Sequence, residues 1–120
     1  MGTRALVHVK DDNCYPHGKK TTQTLVTIYR QYDGYPEGLG KELEEICNGV
    51  TIVNGFGDEK IPKNFNGMGC FAAYLVGRLK GDTIGNVYLY PPDSSDCMEE
   101  YVYTIIGNED GTLDVSCKEV

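Results

Sequence analysis

The order of apolar patterns along the chain constrains the fold more than any other feature of the sequence. Strand-like patterns lie near both ends, and two helix-like stripes lie between them. The strand patterns cover residues 4–9, 21–32, 86–90, 100–106 and 112–118. The first two strands are expected to pair antiparallel across a loop at 11–20. The turn-forming residues at 107–111 predict a hairpin for the last two.

Two segments have the spacing of an amphipathic helix. Apolar residues recur every three or four positions in both, and the second stripe ends before Gly81. The stripes consist of Leu39, Leu43, Ile46 and Cys47 in the first helix, and of Met68, Phe71, Ala72, Leu75, Val76 and Leu79 in the second. Asn66 is a candidate N-cap, which predicts a helix over 67–80. Residues 51–65 are predicted to be irregular, with a short strand at 51–53.

The element order ββααβββ predicts a single α+β domain that includes all 120 residues. A chain of this length can enclose one hydrophobic core but not two. The simplest packing is a mainly antiparallel sheet of about five strands, with both helices on one face.

Charge and composition narrow the classes of partner. The formal net charge is −7 and there is no basic stripe, so nucleic acid is not an expected partner, although a local pocket for a small anion stays open. No apolar run approaches the length of a membrane span, and the first ten residues lack the apolar region of a signal peptide. We therefore expect a cytoplasmic protein. No cofactor motif or metal-ligand spacing is present in the sequence, and no catalytic residue is assigned.

The cysteines predict buried thiols rather than disulfides or a metal site. There are five of them, an odd number, and none forms a C-x-x-C pair. Cys47, Cys70 and Cys117 fall on apolar faces of predicted elements, where a free cysteine acts as a small hydrophobic residue. This usage is typical of a reducing compartment.

The first candidate ligand-binding segment links the second strand to the first helix. Arg30 provides planar donors for a carboxylate or phosphate, and Tyr32 and Tyr35 provide rings for stacking. Asp33 and Glu37 provide carboxylates. The alternative is a purely structural interpretation, which the residue types favour: Asp33 and Gly34 form a turn, Pro36 starts the helix, and Arg30 pairs with a neighbouring carboxylate.

The second candidate segment is the start of the longer helix. Asn66, Gly67 and Gly69 leave backbone N–H groups accessible there, and helix N-termini bind anions. Tight packing of the helix start against the sheet is the alternative explanation for the glycines. A shared ligand site requires the two candidate segments to lie side by side.

Tyrosines on the predicted strands suggest an interaction surface. The strands contain Tyr29, Tyr32, Tyr88, Tyr90, Tyr101 and Tyr103, and helices on one face would leave part of this set on the other face. Tyrosine is enriched at interfaces, so Tyr101 and Tyr103 are candidates for contacts in a homo-oligomer. The alternative is that tyrosine simply suits half-buried strands.

Four segments carry a resemblance to other sequences. Residues 1–4 (MGTR), 29–38 (YRQYDGYPEG), 65–69 (FNGMG) and 87–92 (VYLYPP) are similar to those of a group of small uncharacterised proteins of bacteria, phages and mobile elements. The resemblance implies a setting in which short accessory proteins bind host factors or small signals, and it implies no catalytic residue.

Three functions follow as hypotheses. The first is a non-enzymatic binding module for a small anionic ligand, for example one derived from a nucleotide, which in a phage would sequester a signal. The second is a protein–protein interaction or self-assembly module that uses the tyrosine-bearing face. The third is a small hydrolase or transferase that uses Asp33, Glu37 or Cys70.

Overall fold

The computed structural model describes residues 2–14, 18–53 and 63–120. The strands are β1 (Ala5–Cys14), β2 (Thr21–Arg30), β3 (Thr51–Val53), β4 (Asn64–Asn66), β5 (Val87–Tyr90), β6 (Tyr101–Gly107) and β7 (Leu113–Glu119). A short π-helix, Pro36–Gly40, continues into helix α1 (Lys41–Cys47), and helix α2 is Gly67–Lys80. No helix in the described ranges is long and apolar enough to cross a membrane.

The main sheet confirms the predicted α+β class. Its five strands lie in the order β5-β2-β1-β6-β7, and every neighbouring pair is antiparallel except β1 and β6, which are parallel. Strands β3 and β4 form a separate parallel pair, of which only β3 was predicted. The rest of the predicted irregular stretch, 54–62, lies outside the described residues, as does 15–17 in the first loop.

Strand β1 is longer than its sequence pattern predicts. Residues 11–14, which we expected in a loop, continue the strand opposite the threonine-rich start of β2, with register shifts along the way. The Thr22 hydroxyl donates a hydrogen bond to Asp12 Oδ1 at 2.6 Å. Polar cross-strand pairs of this kind stabilise a strand without an apolar alternation.

Both helices pack on one face of the sheet, as predicted. The core there is built from alternate residues of three central strands and from the apolar stripes of both helices. Its fully buried members include Val7, Val9, Ile28 and Ile105 from the sheet and Leu39, Leu43, Phe71 and Leu75 from the helical segments.

The connection from β5 to β6, residues 91–100, crosses the opposite face. The two strands run parallel with β2 and β1 between them, so the chain must pass over both. Asp93 N–H donates to Thr27 Oγ1 at 3.0 Å, and Glu100 N–H donates to Arg4 O at 2.8 Å. Thr27 and Leu6 are fully buried on this face, and Tyr29 is nearly so. The face expected to be open is therefore partly covered.

Candidate functional site

The Arg30 side chain makes its polar contacts within the chain. Its side chain is only 9% exposed, Nη2 lies 2.9 Å from Glu42 Oε2 on α1, and Nε donates to Tyr32 O at 2.8 Å. The guanidinium that we proposed as a ligand donor thus joins the end of β2 to α1. The structural interpretation of this segment, in which Arg30 pairs with a nearby carboxylate, is the one the contacts support.

The turn after Arg30 is also built into the sheet. Asp33 has φ 57°, Gly34 N–H donates to Thr3 O at 2.9 Å, and the buried Tyr103 hydroxyl donates to Gly34 O at 2.7 Å. Tyr32 and Tyr35 are exposed. The Tyr35 hydroxyl donates to Asp33 Oδ1 at 3.3 Å, and the negative charge of Asp33 raises the pKa of Tyr35. Pro36 begins the π-helix, as the structural interpretation of this segment predicted.

The second candidate segment faces carboxylates rather than cations. Asn66 is the exposed N-cap residue of α2, and Gly67 has φ 82°, a conformation that favours glycine. A pocket of about 180 Å³ beside Gly67 is lined by Asp11 and by Glu109, which pairs with Lys20 at 2.7 Å. Its lining has two acidic side chains and no basic one, which disfavours an anion. A β-carbon at Gly69 would meet nothing within 4 Å, so tight packing does not explain that glycine.

The two candidate segments do not converge, and the expectation of one shared pocket is wrong. Arg30 pairs with Ala5 at the start of β1. The Met68 side chain packs against Gly107, which pairs with Asp11 further along the same strand. At about 3.3 Å per residue, the two segments lie about 20 Å apart along β1.

The tyrosines divide between the two faces of the sheet. Tyr29 stacks on Tyr90 with ring centroids 4.9 Å apart and lies 6.1 Å from Tyr88, on the face crossed by 91–100. Tyr103 pairs with Val7 on the helix face and is 2% exposed, and burial raises its pKa. The expectation that Tyr101 and Tyr103 form an exposed interaction surface is therefore wrong, because β6 turns both toward the helices.

Two of the three cysteines expected to be buried are exposed. Cys70 lies on the outer side of α2, and Cys117 lies on an edge strand. Cys47 is half-buried, and burial raises its pKa to about 11, so its thiol stays protonated at neutral pH. A protonated thiol is a poor nucleophile, and Cys47 therefore acts as an apolar lining group.

A polar cluster that the sequence did not reveal joins His8 to the crossing segment 91–100. His8 Nδ1 lies 2.8 Å from Thr27 Oγ1, which also accepts the Asp93 N–H. Burial lowers the pKa of His8 below 6.5, and the charge of Lys10 lowers it further. If His8 is neutral and its Nδ1 accepts a hydrogen bond from the Thr27 hydroxyl, then His8 Nδ1, the Thr27 hydroxyl and the Asp93 N–H all have a hydrogen-bond partner.

Folding stability should therefore fall as the pH drops below 6.5. The unfolded chain takes up a proton on His8 near pH 6.5, whereas the folded chain resists protonation until the lower folded pKa is reached. The stability contributed by neutral His8 is complete above pH 6.5 and is lost as the pH falls through the folded pKa. Urea unfolding across this window should show a larger loss for the natural chain than for His8→Gln. Equal losses would contradict the assignment.

The hydrogen bonds at the two ends of the β6–β7 ladder show which backbone groups of β7 are used. Val120 N–H donates to Glu100 O at one end and Asn108 N–H donates to Thr112 O at the other, both at 2.9 Å. The register between these ends has no shift, and hydrogen-bonded pairs alternate with non-bonded ones. The backbone N–H and C=O groups of the even-numbered residues of β7 therefore point toward β6. The N–H and C=O groups of Leu113, Val115, Cys117 and Glu119 point outward, and we call them the outer edge of β7.

The two edges of the main sheet differ in how they are protected. Strand β5 has four residues, follows the positive φ of Asn86, and is followed by Pro91 and Pro92. Strand β7 has seven residues, no proline and no bulge, and no other strand in the described part of the chain pairs with its outer edge. Long unprotected edges are templates for pairing with another strand.

A groove of about 490 Å³ runs beside this edge on the helix face. Its floor and one wall are apolar, from Tyr103, Leu113, Val115 and Cys117, and its other wall comes from the π-helix and α1, with Cys47 and Glu44. Val115 is 43% exposed. The outer edge and the groove together offer backbone hydrogen bonds and a place for alternate apolar side chains.

No group of three or more potential metal ligands occurs among the described residues. In comparisons with known proteins, no family model, curated protein or solved structure matches the chain.

Proposed function

We propose that the chain is a protein–protein interaction module that binds an extended polypeptide strand along the outer edge of β7. The observation that carries the proposal is the row of outward N–H and C=O groups on a strand without proline or bulge, directly beside an apolar groove. Strand addition of this kind takes affinity from the backbone and specificity from pockets for alternate side chains.

Apolar side chains of a partner strand fit the groove, and a basic residue that reached its acidic margin would add affinity. Glu44 lines the groove, and burial, followed by the negative charges of Glu119 and Glu37, raises the pKa of the nearby Tyr101. The small-anion hypothesis has weaker support, because Arg30 is paired with Glu42 and the residues proposed with it lie apart.

Amide hydrogen exchange measured by NMR tests the proposal. Added to dilute protein, a heptapeptide of alternating valine and lysine should slow exchange at the outward amides of Val115 and Cys117. The amides of Asp114 and Ser116 face β6 and should change little. The control is the same peptide with its central residue replaced by proline, since proline cannot donate a backbone hydrogen bond to the ladder.

The variant Val115→Pro provides a matched test on the protein side. It removes an N–H that points outward, so the β6–β7 ladder keeps its hydrogen bonds while the outer edge is interrupted. Peptide-induced protection should disappear in this variant. If the alternating peptide protects the proline variant equally, or gives the natural chain no saturable protection, β7 is not the binding edge.

A further inference from the structure

We propose that the strand which pairs with β7 is the β7 of a second copy of this chain, in an antiparallel register centred on Ser116. This inference rests on the proposed function of β7 as an interaction edge, and it names the partner. The two copies would be related by a two-fold axis perpendicular to the sheet, which joins two five-stranded sheets into one.

The geometry of a two-fold pair limits the register. The axis keeps each side chain on its own face of the sheet. An odd-numbered residue can therefore stand only opposite an odd-numbered residue of the partner, and an even-numbered residue only opposite an even-numbered one. The pairing must then be centred on a residue and not on a peptide bond. The outward groups belong to odd-numbered residues, so a centre at Ser116 places Val115 opposite Cys117 of the partner in a hydrogen-bonded pair.

Charge and polarity select the centre at Ser116 from the alternatives. In this register Asp114 stands opposite Lys118 of the partner, and the relation repeats on the other side of the axis. Val115 and Cys117 meet on the groove face, where both are exposed in the single copy. A centre at Val115 instead pairs Asp114 with Ser116, and a centre at Cys117 pairs Val115 with Glu119. The Ser116 register also places Leu113 opposite Glu119 of the partner, but of these three registers it alone pairs Asp114 with Lys118 and Val115 with Cys117.

The free monomer leaves these groups available. Asp114, Ser116 and Lys118 are exposed and stand opposite Ile106, Thr104 and Val102 of β6, so the residues directly opposite them in the chain are uncharged. The Asp114 and Lys118 pairs of the dimer are non-hydrogen-bonded pairs, in which side chains approach most closely. The charges are thus arranged to meet across the two-fold axis and not within one strand pair.

A charge exchange tests the register directly, with the dimer dissociation constant measured by sedimentation from micromolar to millimolar concentration. Asp114→Lys places lysine opposite Lys118 on both sides of the axis and should raise the dissociation constant about tenfold or more. Adding Lys118→Asp restores opposite charges and should return the dissociation constant to near its natural value. Asp82→Lys, an exposed position after α2, makes the same change in net charge and should leave dimerisation intact.

Val115→Pro provides an independent arm, since it should weaken the dimer at least about tenfold by removing an outward N–H from each copy. Far-UV circular dichroism checks that every variant is folded, and the charge exchange decides the matter if the proline variant is not. A natural chain that stays monomeric at millimolar concentration overturns the dimer. So does a double exchange that fails to restore it, or an Asp114→Lys effect no larger than that of Asp82→Lys. If the chain is monomeric yet the alternating peptide still protects Val115 and Cys117, self-pairing fails while the proposed function stands.

Discussion

Gly34→Ala is expected to destabilise the folded chain by about 3 kcal/mol, from overpacking and from two strained hydrogen bonds. A β-carbon at this position would lie 2.7 Å from Ala5 Cβ and 2.9 Å from Thr3 O. The obstacle is largely the backbone of the N-terminal segment, which cannot swing aside as a long side chain can. Any shift of the turn would also strain the bonds that Gly34 makes to Thr3 O and Tyr103.

Urea unfolding at 25 °C measures this effect, and Gly69→Ala is the matched control. Gly69 lies in the first turn of α2, and a β-carbon there meets nothing within 4 Å. Alanine is favoured over glycine in helices, so this control should be neutral or stabilising by up to about 1 kcal/mol. If both substitutions have the same effect, the close approach of β1 to the turn does not constrain Gly34.

Local sequence signals predicted the elements that depend on nearby residues. Helix α2 has the predicted bounds because its apolar stripe is long and Gly81 stops it. The β6–β7 hairpin follows from the turn residues between its strands, with Gly111 at φ 89°. In the first helix, the stripe from Leu39 to Cys47 gave the buried face and Pro36 marked the start, but the first turn is a π-helix and not an α-helix.

Elements that depend on distant pairing were not accessible from the sequence. Strand β4 has only three residues and exists through its parallel pairing with β3. The parallel neighbour relation of β1 and β6 sends the chain across the sheet, and nothing in the composition of 91–100 indicates this path. The position of β7 at an edge depends on the same topology, so its outer edge could not be identified in advance.

The candidate site illustrates the same division in terms of individual side chains. The sequence showed that Arg30 is suited to bind a carboxylate, and it does so, but the carboxylate belongs to Glu42 of the same chain. Residue types therefore indicated the chemistry, while the packing of α1 against β2 decided the partner. Tyr103 behaves similarly, since its hydroxyl found a hydrogen-bond acceptor inside the protein, at Gly34 O.

Leu6→Ala should cost about 3 kcal/mol of unfolding free energy, as large-to-small changes at buried leucines do. A sheet with helices on one face only would leave Leu6 in solvent, yet it is fully buried. Its neighbours across the strands are Tyr29 and Val102, and the segment 91–100 passes over this face. Leu89→Ala on β5, where the side chain is 61% exposed, is the matched control and should change stability by less than about 0.5 kcal/mol.

The same two variants also test whether Leu6 packs against the crossing segment 91–100. If 91–100 and Leu6 form one packed unit, the cavity left by alanine should loosen that segment, and the amides of Asp93 and Glu100 should exchange faster than those of Phe71 and Leu75 in α2. Both of the former amides bond to groups on this face, at Thr27 and Arg4. A Leu6→Ala chain as stable as Leu89→Ala, with unchanged exchange at Asp93 and Glu100, would mean that the connection contributes no core on this face. The sheet face opposite the helices would then be an alternative to the outer edge of β7 as a binding surface.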